Sequence, residues 1–418
     1  MNSKLLLFVF ILASFFAHSQ STIQWSPVDS FPGGSRFGMY SFSIGDKAFA
    51  GMGLDATTTA QTDWYEYDTT TKVWTAKATF PGSGRWTGAS FVIGGLGYIV
   101  CGAQHGSPGL LSELWEYNPN NDTWIQKATM PGTARQTCAG FAVGNYGFVA
   151  TGFVGGGTVV KDMWRYDPDV DAWTQVSDFP GLVRDGATSF SIDSLGYIGI
   201  GCAVNGVAFY NDMYSYNPNY DTWTPIANYP GRLLNNTTCI DFAGYGYVIS
   251  GVHNSQTLGI YNSNSVYQYT PTSNTWAQVL DSFPGLGTGY GVGFTIGGSM
   301  YYGSGTSDGT VSSTTAQFWK TSRLKGANTG INTINAANQP TFYPNPFSSD
   351  IYVSNAGPQV AFSMKVYDMS GRIVADGLQI LDNGRINYDM SNLDAGTYVI
   401  ESLNTKTNSL NHIQMIKQ

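Results

Sequence analysis

Residues 80–127 read FPGSGRWTGASFVIGGLGYIVCGAQHGSPGLLSELWEYNPNNDTWIQK, and the grammar of most of the chain is contained in this stretch. It opens on an apolar-Pro-Gly turn, Phe80-Pro81-Gly82. A first strand over 87–93 follows, and Gly94-Gly95 turns the chain into a compact apolar run over 97–101 that ends at Gly102. Residues 114–117 and 124–127 make a third and a fourth strand. Asn118-Pro119-Asn120-Asn121-Asp122 joins them, with residue types that suit tight reversal. The stretch predicts one four-stranded antiparallel sheet.

The same landmarks recur on both sides of it. Apolar-Pro-Gly stands at Pro32, Pro81, Pro131, Pro180, Pro230 and Pro284, spaced 49, 50, 49, 50 and 54 residues apart. A glycine follows each proline by 21 residues, at Gly53, Gly102, Gly152, Gly201, Gly251 and Gly305. Tyrosine and tryptophan seven apart complete five units: Tyr67/Trp74, Tyr117/Trp124, Tyr166/Trp173, Tyr216/Trp223 and Tyr269/Trp276. A period near 50 with four strands per copy is that of a propeller blade. One such sheet has two apolar faces and cannot bury both alone, whereas six arranged radially can. The sixth unit stops near Phe318-Trp319 without a fourth strand, and Trp25 stands seven residues before Pro32 with no blade ahead of it. Trp25 is therefore expected to supply the outer strand of the last blade and to close the ring at six.

These landmarks resemble the kelch repeat over residues 20–325: a glycine ending the second strand, a tyrosine before an Asp/Asn turn, a tryptophan, then Pro and Arg. One departure is visible, since the double glycine of the family is single here, as in Val100-Cys101-Gly102-Ala103. From Pro340 a second β unit of short strands begins, expected as a small C-terminal β-sandwich over 340–418. Tyr343-Pro344-Asn345-Pro346-Phe347, Tyr367-Asp368-Met369-Ser370-Gly371-Arg372, Ala395-Gly396-Thr397-Tyr398 and the terminus Met415-Ile416-Lys417-Gln418 resemble the type A C-terminal sorting domain of type IX secretion in Bacteroidota. That resemblance implies handling by the type IX machinery, passage through the outer membrane, and removal of the domain as the cargo is anchored or released. Residues 326–339 read as a polar linker. Lys4, the apolar run over 5–17 and Ala17-His18-Ser19 read as a signal peptide over 1–19, too short to span a bilayer. The mature chain is thus expected at the cell surface or in the medium, with no integral membrane segment.

Composition agrees with an all-β chain: 418 residues with 42% hydrophobic, 11% charged and 51 glycines. The net charge of −8 speaks against binding nucleic-acid phosphates. Arg36, Arg85, Arg135 and Arg184 follow their prolines by four residues, and Asp63, Glu113, Asp162 and Asp212 precede the repeat tyrosines by four. Both are lost together in units five and six, where Leu234 and Thr288 replace the arginine. Two readings follow, structural ion pairs or a ring of arginines for an anion at the channel mouth. Cys101/Cys138 and Cys202/Cys239 share a 37-residue offset, which in an exported chain makes two staples between neighbouring blades possible. Within the propeller only His105 and His253 are histidines, in blades on opposite sides of the ring, so no metal or cofactor is expected; galactose-oxidase-like copper enzymes of the kelch type need two close histidines. Unit five has the longest loop before its tyrosine. Its His253, Asn254, Tyr261 and Arg232, together with Phe209 and Tyr210 of unit four, make the expected ligand rim, aromatic faces flanked by amides suiting a sugar. The expected function is a non-catalytic binding module for a surface or environmental glycan or protein. The alternative is a carbohydrate-active enzyme similar to the sialic-acid mutarotases of the kelch type.

Overall fold

The computed structural model describes residues 24–106, 109–255, 259–279, 282–285, 287–308, 310–321 and, beyond them, 341–343, 352–354, 362–368, 373–376, 393–404 and 409–417. The expected leader (1–19) and linker (326–339) lie outside the described residues. Six four-stranded antiparallel sheets form the propeller. In the second blade the strands are Ala89–Ile93, Leu96–Val100, Leu114–Asn118 and Thr123–Lys127, within two residues of the sequence-based bounds. The sixth blade combines Val292–Ile296, Ser299–Gly303 and Phe318–Thr321 with the N-terminal strand Trp25–Val28. Trp25 pairs with Thr321 and Val28 with Phe318, which is the expected closure. Beyond the propeller, Ile373–Asp376, Phe362–Asp368, Gly396–Asn404 and Ser409–Lys417 form one antiparallel sheet, and Thr341–Tyr343 pairs with Tyr352–Ser354.

Blades pack face to face through aromatic rings. A Cβ on Gly97 would collide with the Phe42 ring of the preceding blade, and one on Gly147 with Phe91. These second-strand positions must therefore be bare for the blades to approach. Each Pro-Gly aromatic sits between two further rings of its unit. Phe80 meets Trp115 at 5.1 Å and Trp124 at 5.2 Å, both edge-on. Phe179 meets Tyr214 and Trp223 likewise, and in the sixth blade Phe283 meets Trp319 and, across the closure, Trp25. Such edge-to-face contacts add to the burial of each ring. The repeat tyrosines tie blades through their turns: Tyr117 Oη donates to Asp122 Oδ1 at 2.7 Å, and that oxygen also accepts the backbone N–H of Ala78 in the previous blade. Asp171, Asp221 and Asn274 repeat this, so these turn side chains bind neighbouring backbone.

The first five residues of the second strand are followed in every blade by two successive left-handed residues. The first has φ between 56° and 63° (Met52, Cys101, Thr151, Ile200, Ser250, Ser304), which an L-residue tolerates. The second has φ from 89° to 132° and is always the repeat glycine. This explains how one glycine suffices where the resembling family has two. Six residues then close a circle around the axis at the start of the inner strands. Thr87 N–H donates to Gly38 O (2.8 Å), Thr137 to Thr87, Gly186 to Thr137, Asn236 to Gly186, Tyr290 to Asn236, and Gly38 back to Tyr290 at 3.0 Å. All six have positive φ, between 50° and 65°.

Candidate functional site

The loops that follow the second strands and the Pro-Gly turns share one face of the disc, because strands one and two are antiparallel. The repeat arginines lie beneath it. Arg36, Arg85, Arg135 and Arg184 are at most 2% exposed, and each bonds the acid of its own blade. Arg184 reaches Asp212 with bonds of 2.7 and 2.8 Å, and its Nη1 also donates to the carbonyl of Ile200, the first left-handed residue of that blade. Arg135 and Arg36 do the same to Thr151 and Met52. The guanidinium rests on the Pro-Gly aromatic, 4.6 Å from the rings of Phe80 and Phe179. The arginines thus point into their blades, and none of the four lines the channel as an anion ring. Burial works to raise the Asp162 carboxyl, but the Arg135 guanidinium and the Trp164 indole outweigh it and hold that carboxyl below the usual range. Glu113 is held down in the same way by Arg85 and Trp115.

The two staples are not formed, and all four cysteines are free. Cys202 Sγ donates to Asp185 Oδ1 at 3.0 Å and accepts from Asn235 Nδ2, while Cys239 accepts from Thr188 Oγ1. The equal sequence offset therefore does not bring these two sulfurs together. Cys101 and Cys138 do meet across the boundary of blades two and three, as hydrogen-bonded thiols.

The expected rim of blades four and five is partly turned inward. His253 is 2% exposed, Phe209 stacks on its ring at 3.8 Å, and its Nδ1 lies 2.8 Å from the Leu233 carbonyl. It is a packing residue rather than an exposed contact, because the longer loop folds as a hairpin, Val252–Ser255 with Gly259–Asn262, over the Phe209 ring. Tyr210 is half-buried and lies over the Arg184 guanidinium at 4.6 Å, opposite Phe179. Arg232 is exposed; the side chains of Asn254 and Tyr261 lie outside the described residues, although Tyr261 pairs in register with His253. Blade three builds up the same face with ten-residue strands, Tyr146–Gly155 and Thr158–Asp167.

Below the amide circle the inner strands enclose an axial channel that runs toward the opposite face. The axial channel, about 620 Å³, is lined by the inner strands, with Ser41, Ser90, Ser189 and Thr295 beside one carboxylate, Asp241. Asp241 faces the channel and is exposed there, and the inner strands around it push its carboxyl up from the ordinary range. Burial raises Asp185 as well, against the hydrogen bond from Cys202. A second cavity of about 360 Å³ lies in blade six, between Phe283, Thr288, Gln317 and Trp319. Sequence reasoning missed three signals: the aromatic two residues after each acid position (Tyr65, Trp115, Trp164, Tyr214, Tyr267, Trp319), the isolated Asp185 and Asp241, and the space created where Thr288 stands for arginine. Only the first had a periodic trace. Among the described residues no three His, Cys, Asp or Glu side chains gather as a metal site, and no helix is long and apolar enough to cross a membrane.

Residues 341–417 match the family described as the secretion system C-terminal sorting domain. The chain is therefore cargo of type IX export, directed to the cell surface or the medium. No curated protein matches the chain. Among solved structures, that of YjhT is similar with a TM-score of 0.60 and 17% identity, covering 69% of this chain and 95% of that one. The likeness is one of fold.

Proposed function

We propose that this secretion-sorted propeller is a non-catalytic binding module that takes a glycan or a protein on its loop face once outside the cell. The observation that carries the proposal is one-sided elaboration. The turns on the opposite face between first and second strands are two-residue reversals in every blade, such as Gly94-Gly95, Gly144-Asn145 and Gly297-Gly298. The loop face instead carries the long hairpin of blade three, the extra hairpin of blade five, and Phe209, Tyr210 and Arg232 between blades four and five. Recognition is usually assigned to loops on a rigid frame. A glycan array probed with the mature protein, followed by NMR of any hit over hours, tests it. Saturable binding with unchanged ligand is expected; absence of binding to glycans and to surface proteins alike sinks the proposal.

The second reading, a carbohydrate-active enzyme, is favoured by Asp185. A carboxyl raised by burial and bonded to a thiol at the loop face is the type of group that serves as a general acid or base. Conversion of the bound sugar in the same NMR series, lost in Asp185→Asn, would select this reading.

A further inference from the structure

Blade six differs from its siblings at the spot where they hold a guanidinium. In blades one, three and four the arginine fills the space between the Pro-Gly turn, the carbonyl of the first left-handed residue and the acid of the third strand. Blade five fills it with Leu234, which is fully buried. In blade six the residue is Thr288, whose hydroxyl takes over the carbonyl of Ser304 at 3.1 Å but is too short to fill the rest. The aromatic floor is retained in Phe283, the acid has become Gln317, and the cavity of about 360 Å³ remains.

The cavity wall includes a residue with an unmet donor. In blades two and three the tryptophan two residues after the acid donates its indole N–H to that acid, Trp115 to Glu113 at 3.1 Å and Trp164 to Asp162 at 2.7 Å. Trp319 occupies this position in blade six, and its Nε1 is buried with no hydrogen-bond partner among the described residues. A buried donor left unmade is costly, so an occupant that supplies an acceptor there is favoured.

Charge narrows the occupant. A carboxylate ligand would meet Trp319 but lacks the arginine that balances the acids of the sibling blades, and a guanidinium or ammonium ligand lacks the acid. Burying either unpaired charge is expensive, which leaves a neutral group. The wall is rich in hydroxyls, including Ser313 and Thr315. It is held in shape by Asp308, which accepts from Thr310 N–H at 2.8 Å and from the hydroxyls of Thr310 and Ser313. Two aromatic rings and a hydroxyl wall suit a sugar ring, and the volume falls in the lower part of the roughly 300–1,000 Å³ range of small-ligand pockets.

We propose that the blade-six cavity is a subsite for a neutral sugar residue bearing an acetamido group, whose carbonyl accepts from Trp319 Nε1 while its methyl rests on Phe283. The proposal rests on the glycan reading above and names its ligand class and one of its sites. The test is titration of the mature protein with N-acetylglucosamine, N-acetylgalactosamine and glucose, followed by the indole N–H resonance of Trp319 (assigned with Trp319→Phe). The resonance should shift with the two acetamido sugars and far less with glucose. Thr288→Arg with Gln317→Asp rebuilds the sibling ion pair inside the cavity and should weaken acetamido-sugar binding at least tenfold. Thr288→Leu, the solution of blade five, should do the same if the double variant does not fold. Acetamido-sugar binding that survives these refilled variants, or that leaves the Trp319 resonance unmoved, overturns the subsite and leaves the glycan reading standing. Failure of every glycan to bind overturns both.

Discussion

Arg135 meets Asp162 through two parallel hydrogen bonds, Nη1 to Oδ1 at 2.8 Å and Nη2 to Oδ2 at 2.7 Å. The arginine is fully buried and the acid side chain 23% exposed. Removing the guanidinium leaves the acid short of its partner and opens a hole in the buried interior of the blade. Arg135→Ala should therefore cost about 3 kcal/mol of stability, the lower end of buried-pair losses because Asp162 keeps some water. Thermal unfolding checks this. An unchanged melting temperature with lost ligand binding would transfer the arginine from the scaffold to the site.

The pH response has two opposite components. Asp162 and Glu113 are depressed in the folded state, so their stabilisation is present above the ordinary carboxylate range and is lost as pH falls through the folded values. Asp241 is raised, so folding favours its protonated form; that contribution is present at low pH and lost as pH rises through the folded value. Asp241→Asn should raise the melting temperature at pH 7 and leave it nearly unchanged at pH 3. A loss of stability at pH 7 would show that the charged form is held by a partner.

Cys202 and Cys239 have separate partners and burial raises both thiols, that of Cys239 to about 12. Protein denatured without reductant should take up alkylating reagent at both, whereas the folded protein should not. A peptide pair joined through Cys202 and Cys239 in the mass spectrum would contradict the free thiols.

Trp25 is half-buried and packs edge-on against Phe283 at 5.5 Å, where the fourth-strand tryptophan of any other blade would stand. Trp25→Ala should cost about 2 kcal/mol, less than the ~3–5 kcal/mol of a fully buried tryptophan. Protease sensitivity should rise first in blade six. Cleavage appearing first in another blade would mean that the closure is not the weakest seam.

The blades were legible because their constraints fall on single residue types at fixed spacing. Only glycine meets the φ of 107° at Gly102, and only a ring fills the slot of Phe80, so both leave periodic marks. The circle of six amides left none. Its members are two glycines, two threonines, Asn236 and Tyr290, since a φ near 55° is open to any residue whose neighbours hold it in place. The candidate site was less legible still. Reading the loss of arginine at Thr288 as a missing ion pair was possible from sequence; seeing that Leu234 fills the same vacancy and Thr288 does not required volumes. His253 appeared exposed in a long loop, and only the pairing of that loop on itself shows why it is buried.

The pairing of Trp25 with Thr321 also fixes how the disc is presented. Phe318–Thr321 runs away from the loop face, so the chain enters at residue 25 and leaves at residue 321 side by side, on the edge of blade six at the face of the short turns. A tether continuing from Thr321 thus departs from the side opposite the loop face. A disc held this way would turn its elaborated face outward, like a dish on a stalk, and cutting the stalk would release it without disturbing that face.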